Sequence, residues 1–154
     1  MLHRPKGDSP AEQQKKYEAH KAAHIAIKQF CGSGQYFTAF VVAYALLEDR
    51  LIALRVVAMR AELVRQSTNT RAKREFKTLS NDLCHCGVIN LELRDEVLNL
   101  ADMRNKVVHS AMYNLNRVRK EHVRRVMDAT RSLQSIGRKL VRRSAALKPT
   151  VSNN

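Results

Sequence analysis

Arg104, Asn105 and His109 place a guanidinium, a carboxamide and an imidazole within six consecutive residues. Together these groups suit a phosphodiester. The guanidinium forks onto phosphate oxygens, the imidazole exchanges protons near neutral pH, and the amide orients either partner. RNA scission without a metal requires a base for the ribose 2′-hydroxyl, an acid for the leaving oxygen and a cation for the charge that builds on the phosphorane. One helix supplies too few of these groups, so a second histidine at the same site has to come from another subunit.

The element that carries these residues is readable from their neighbours. Leu93, Val97, Leu100, Arg104, Val107 and Ala111 alternate spacings of four and three, the pattern of one helical stripe facing a packed partner. Arg104 interrupts that stripe. Burying an unpaired guanidinium is costly, so the position is paired, lies at a wet interface, or holds an anion. Asn105 and His109, four apart, share a flank beside it. The structural alternative to catalysis pairs Arg104 with an acid such as Glu48 or Asp102 and makes His109 a satisfied interhelical histidine. Glu48 lies on the flank shared with Tyr44, Ile52 and Arg55 and reads as a half-buried acid in want of a cation, Arg55 being an ordinary partner for it.

The three prolines, Pro5, Pro10 and Pro149, leave residues 11–148 free of ring-enforced helix stops, which predicts an all-α domain. Ser9-Pro10-Ala11-Glu12 reads as a capping box with proline at the first helical position, and Cys31-Gly32-Ser33-Gly34 ends that first helix near Phe30. A second helix over about 35–66 carries Phe40, Tyr44, Leu47, Leu51, Leu54 and Ala58 as one apolar seam. A third over about 71–86 runs through Phe76, Leu79 and Leu83. The motif helix follows over about 91–112, capped by Asn90, and a final helix reaches about Ala145. The expected architecture is an up-and-down bundle of about five helices: one domain over residues 10–147, with flexible tails at 1–9 and 148–154.

With 28 Lys plus Arg against 14 Asp plus Glu, the net charge of +14 predicts polyanionic partners, nucleic acid first among them. No apolar run reaches the ~18 residues of a membrane span, and the polar start lacks a signal core, so a soluble, cytoplasmic protein without membrane partners is expected. Cys31, Cys84 and Cys86 make a poor disulfide framework and read as reduced, half-buried hydrophobes. A zinc site of Cys84-His85-Cys86 with His20 and His24 lacks the usual ligand spacing, and no metal or other cofactor is expected. The last quarter of the chain, residues 115–154, holds 11 basic and 2 acidic side chains. Arg117, Arg124, Arg131 and Arg138 recur every seven residues, with Arg125 and Lys139 broadening a cationic face opposite Val123, Val126, Leu133 and Leu140. That face is a candidate for contact with a nucleic-acid backbone, and the scarcity of aromatics argues against base readout.

The Arg-Asn-x-x-x-His spacing of Arg104, Asn105 and His109 resembles the signature of the HEPN superfamily of small all-α proteins. The lead-in Gly87-Val88-Ile89-Asn90 and the run Phe37 to Glu48 are similar to the same family and to its mannitol-repressor-like relatives, so the resemblance spans roughly residues 35–145. It implies a HEPN-like homodimer formed through the motif helices, in which two copies of Arg104 and His109 converge in one basic cleft. The implied activity is metal-independent cleavage of RNA to 2′,3′-cyclic phosphate ends by a toxin, a host-defence protein or a phage effector, with an antitoxin or regulatory protein as a further partner. The resemblance also matches Glu48 to the acid that supports the motif arginine. A catalytically silent regulator that dimerises and binds nucleic acid or protein is the alternative within the same family.

Overall fold

The first helix begins where its capping chemistry places it. Glu12 donates its backbone N–H to Ser9 Oγ at 3.3 Å while its carboxylate accepts from the Ser9 backbone N–H at 2.7 Å, and Pro10 opens the helix. In the computed structural model, which describes residues 9–64, 75–109 and 115–146, this is α1, Pro10–Gly32. It is followed by α2 (Tyr36–Arg60), α3 (Phe76–His85), α4 (Leu91–His109), a 3₁₀ turn (Leu115–Arg117) and α5 (Lys120–Ala146). The chain is an all-α bundle, and among the described residues there is no strand. Residues 1–8 of the tail expected at 1–9, the tail expected at 148–154, and Ala111 of the motif stripe lie outside the described residues, while Ser9 is the cap of α1.

Three helices stop in the same way. In each, a residue in the left-handed region lets its own N–H and that of the following residue turn back onto the last carbonyls of the helix. After α1, Gly34 at φ 76° and Gln35 bond Cys31 and Phe30; after α3, Gly87 at φ 70° and Val88 bond Cys84 and Leu83. After α2 the left-handed residue is Glu62 at φ 60°, with Glu62 N–H on Met59 O and Leu63 N–H on Ala58 O. This stop corrects the expected end of the second helix at residue 66. No glycine or proline marks it, because a glutamate here adopts a conformation that ordinarily selects glycine. Asn90 caps α4 as expected, its Oδ1 accepting from Leu93 N–H at 2.9 Å.

The core is built around α2. Phe40, Leu47 and Leu51 are fully buried, and the seam they belong to meets Leu79 and Leu83 of α3, Val97 and Leu100 of α4, and Val126 and Leu133 of α5. Each such side chain contributes roughly 1.5–3 kcal/mol relative to exposure. α2 packs directly against α1, α3 and α5, while α4 packs chiefly on α3 and α5. At Gly137 of α5 an added Cβ would meet Leu54 Cδ1 of α2 at 3.8 Å, ordinary contact. α1 folds back on α2 as a helical hairpin through the short turn at Ser33-Gly34-Gln35.

One cation is sealed into this arrangement. Arg55 of α2 is buried, its Nη2 lies 3.8 Å from Asp82 Oδ2 of α3, and its Nε has no hydrogen-bond partner. The arginine thus turns to α3, and the pairing of Glu48 with Arg55 weighed from the sequence is not formed among the described residues. No helix is long and apolar enough to cross a membrane among the described residues.

Candidate functional site

Arg104 is half-buried on α4, where the stripe predicts it. Its Cζ lies 5.8 Å from the centroid of the Tyr44 ring on α2, within reach of a cation–π contact. Its Nη1 donates to Asn105 Oδ1 at 3.2 Å. Tyr44 is itself held in a short aromatic column, stacked on Phe76 of α3 at 5.5 Å and on Phe40 at 6.3 Å. The ring is therefore fixed from below, and the guanidinium rests on a rigid, electron-rich surface.

Neither of the acids proposed to neutralise Arg104 does so by contact. Among the described residues no ion pair joins it to Glu48 or to Asp102. Both carboxylates are nevertheless close enough to act on Tyr44. Burial pushes the phenol well above its ordinary range, Glu48 pushes it further, Arg104 opposes, and Asp102 adds a smaller upward effect. Tyr44 thus stays neutral as a hydrogen-bonding phenol. Glu48, Arg104 and Asp102 form a loose ring of charge around it, with the arginine's remaining N–H groups uncommitted among the described residues.

His109 is exposed, as is Asn105. Five residues separate Arg104 from His109, which sets them about 140° apart around α4, while Asn105 and His109 share one flank. A single subunit therefore brings Arg104 and Asn105 together and leaves the imidazole on the solvent side of the same helix. Beside this site runs an apolar strip. On α2, Val41, Ala45 and Ile52 are exposed on the stripe that includes half-buried Glu48; separately, on α4, Val108, one turn beyond Arg104, is exposed.

The cationic face of the last helix is divided by its acids. Arg125 is committed to α4: its Nε and Nη2 donate to the two carboxylate oxygens of Glu96, each at 2.8 Å, and that hydrogen bonding holds the guanidinium above its ordinary range. The same flank opens into a groove of about 800 Å³ that includes Glu92, Glu96 and Asp128 in its lining, an acidic wall poorly suited to phosphate. Arg131 donates to Asp128 at 2.9 Å, and Arg124 lies 4.0 Å from the same carboxylate. Arg117 sits on the 3₁₀ turn, off the helix that carries the rest of its heptad column. Arg138 and Lys139 are exposed and have no acidic partner among the described residues.

The sequence reading missed a second cluster, on the α1 side of α2. His20 Nε2 lies 2.6 Å from Asp49 Oδ2, and Arg50 Nη2 lies 2.7 Å from His20 Nδ1. Since arginine only donates, Nδ1 accepts and Nε2–H donates to Asp49, which fixes one neutral tautomer. The signal for it was present: His20 and Asp49 stand fourteen residues before and fifteen after Gly34, the distances at which a helical hairpin brings side chains level. With His20 so engaged, no three of the described His, Cys, Asp and Glu side chains are grouped to hold a metal. Comparison of the chain with protein-family models, with curated proteins and with solved structures gave no match.

Proposed function

We propose that the protein is a HEPN-type, metal-independent endoribonuclease whose active site is completed by a second copy of the chain. The observation that carries this reading is Arg104, a half-buried guanidinium seated on Tyr44 with no carboxylate paired to it among the described residues. A cation left without a counter-ion in an otherwise apolar stripe is suited to an anion that arrives from outside.

In this reading Arg104 binds the scissile phosphate and stabilises the charge on the phosphorane. Asn105 holds the guanidinium in place, and His109 supplies the imidazole. One His109 removes the proton of the ribose 2′-hydroxyl, whose oxygen attacks phosphorus. The 5′-oxygen departs with a proton from the His109 of the other subunit, leaving a 2′,3′-cyclic phosphate and a 5′-hydroxyl. Exposed Val41, Ala45 and Ile52 on α2 and Val108 on α4 support the dimer, as apolar surface that a second copy would cover. Glu48 acts through Tyr44 and the local field to hold Arg104, and exposed Arg131, Arg138 and Lys139 guide the RNA backbone.

The second reading is a silent HEPN-like dimer that binds nucleic acid or a protein regulator. It is favoured by the position of His109, which stands about 140° from Arg104 on α4. Incubation of wild type and His109→Ala with total RNA in excess chelator separates the two. Fragments with cyclic phosphate ends from the wild type alone support the nuclease, whereas intact RNA with both proteins, bound equally by each, supports the regulator.

A further inference from the structure

On the flank of α2 away from Tyr44, three helices converge like charges. His24 of α1 is exposed and feels, after its own partial burial, Arg50 of α2, its neighbour His20, Arg131 of α5 and Lys28 of α1. Arg50 is half-buried, with Asp49 acting to stabilise its charge and Arg138 of α5 acting against it. Three cations, Arg50, Arg131 and Lys28, thus act on one imidazole and a fourth, Arg138, on Arg50, and two nearby carboxylates are already engaged, Asp49 by His20 and Asp128 by Arg131. Lys28 and Arg138 have no acidic partner among the described residues. Arg50 spends one N–H on His20 Nδ1 and is partly stripped of water, a costly position for a cation whose other neighbours include Arg138 and His24.

Self-repulsion of this kind is relieved by an anion placed between the helices. We propose that Lys28, Arg50 and Arg131 beside His24, together with Arg138 beside Arg50, form a binding site on α1, α2 and α5 for the phosphodiester backbone of nucleic acid. Arg131 and Arg138 are two turns apart on α5, about 10 Å, the length that about three successive phosphates of a strand occupy along a duplex axis. The site reads charge and not bases, since among its residues there is no aromatic side chain to stack. Binding is coupled to protonation. Arg50, His20, Arg131 and Lys28, together with burial, hold His24 below its ordinary value in the free protein, and a phosphate beside it reverses that balance, so the imidazole takes up a proton as the strand binds. The His20–Asp49 contact stays closed and positions Arg50. The proposal does not require the strand to be cleaved, and its test uses a strand that cannot be.

The test is fluorescence anisotropy of the full chain with a labelled 2′-O-methyl RNA and a DNA of the same sequence, over a range of salt and from about pH 7.5 to about pH 5.5. The double variant Lys28→Gln/Arg138→Gln, which removes two exposed and unpaired charges, is expected to weaken both oligonucleotides about tenfold at about 0.1 M salt and to flatten the slope of log K against log salt by about 1.5. The control Arg60→Gln/Lys77→Gln removes the same charge elsewhere and is expected to change affinity about threefold at most. His24→Gln is expected to abolish the tightening on acidification, and calorimetry in two buffers of different ionisation heat should lose its proton uptake. Equal or RNA-biased affinity, dependent on Lys28 and Arg138, is the supporting result. The proposal is overturned by a Lys28/Arg138 variant that binds as wild type, by a control that weakens binding as much, or by binding to phosphatidylglycerol vesicles and not to oligonucleotides.

Discussion

The two flanks of α2 hold their cations by opposite means. Toward α4, one arginine lies on a tyrosine ring in apolar surroundings, and the nearby acids stay out of contact. Toward α1 and α5, Arg50 sits in a hydrogen-bonded frame in which a neutral histidine bridges it to Asp49, with Lys28, Arg131 and Arg138 contributed by the neighbouring helices. The first arrangement fixes one guanidinium with little freedom and suits a defined atom of a substrate. The second spreads positive potential over three helices and suits a chain of phosphates. Rigidity and breadth are thus separated on either side of one buried helix.

Both flanks depend on the α2 core, and the way to break them together is to empty it. Phe40→Ala removes a fully buried ring and is expected to cost about 3–5 kcal/mol, lowering the thermal midpoint seen by circular dichroism and disabling both sites. Arg104→Ala should separate them: RNA cleavage falls about 10²–10³-fold, while stability changes by no more than about 1 kcal/mol because only a cation–π contact and one amide contact are lost. Retained cleavage in that variant removes the catalytic role of the α4 flank.

Outside the flanks, Glu62→Gly relieves a left-handed glutamate at the end of α2 and is expected to stabilise the fold by about 1 kcal/mol in urea titration. A double-mutant cycle on Arg125 and Glu96 should return about 0.5–1 kcal/mol, the range of a part-exposed fork, and confirm that Arg125 ties α5 to α4. The smallest effect sharpens the α1 flank. Unfolded, His24 takes a proton near its ordinary 6.5; folded, burial and the surrounding cations hold it lower, so the unfolded chain binds more protons as pH falls. Its contribution to stability is intact above that value and lost on acidification below it, and the thermal midpoint of His24→Gln should fall less over the same range.

Much of this fold was readable because helices obey local rules. The capping box at Ser9, the seam from Phe40 to Ala58 and the Asn90 cap stand where the spacing puts them. The end of α2 was misplaced, since its stop depends on an ordinary glutamate taking a glycine's conformation. At the site, the pattern found Arg104 as an interruption in an apolar stripe but assigned Tyr44 only to the core. Periodicity states that a residue faces inward and is silent on which ring lies beneath which charge. The seven-residue spacing of arginines was visible too, and Asp128 pairs with Arg124 and Arg131 within the same helix, whereas the capture of Arg125 by Glu96 depends on how α4 lies beside α5.

Composition and periodicity therefore dictated an all-α, strongly basic bundle and the helix that carries Arg104, Asn105 and His109, because charge count and the 3.6-residue turn are properties of the chain itself. Packing chose the partners. His20 reaches Asp49 and Arg50 across the α1–α2 hairpin, Arg138 comes near enough to act against the charge of Arg50, and Arg104 settles on Tyr44, since relations between side chains far apart in sequence are set by the crossing of helices in space.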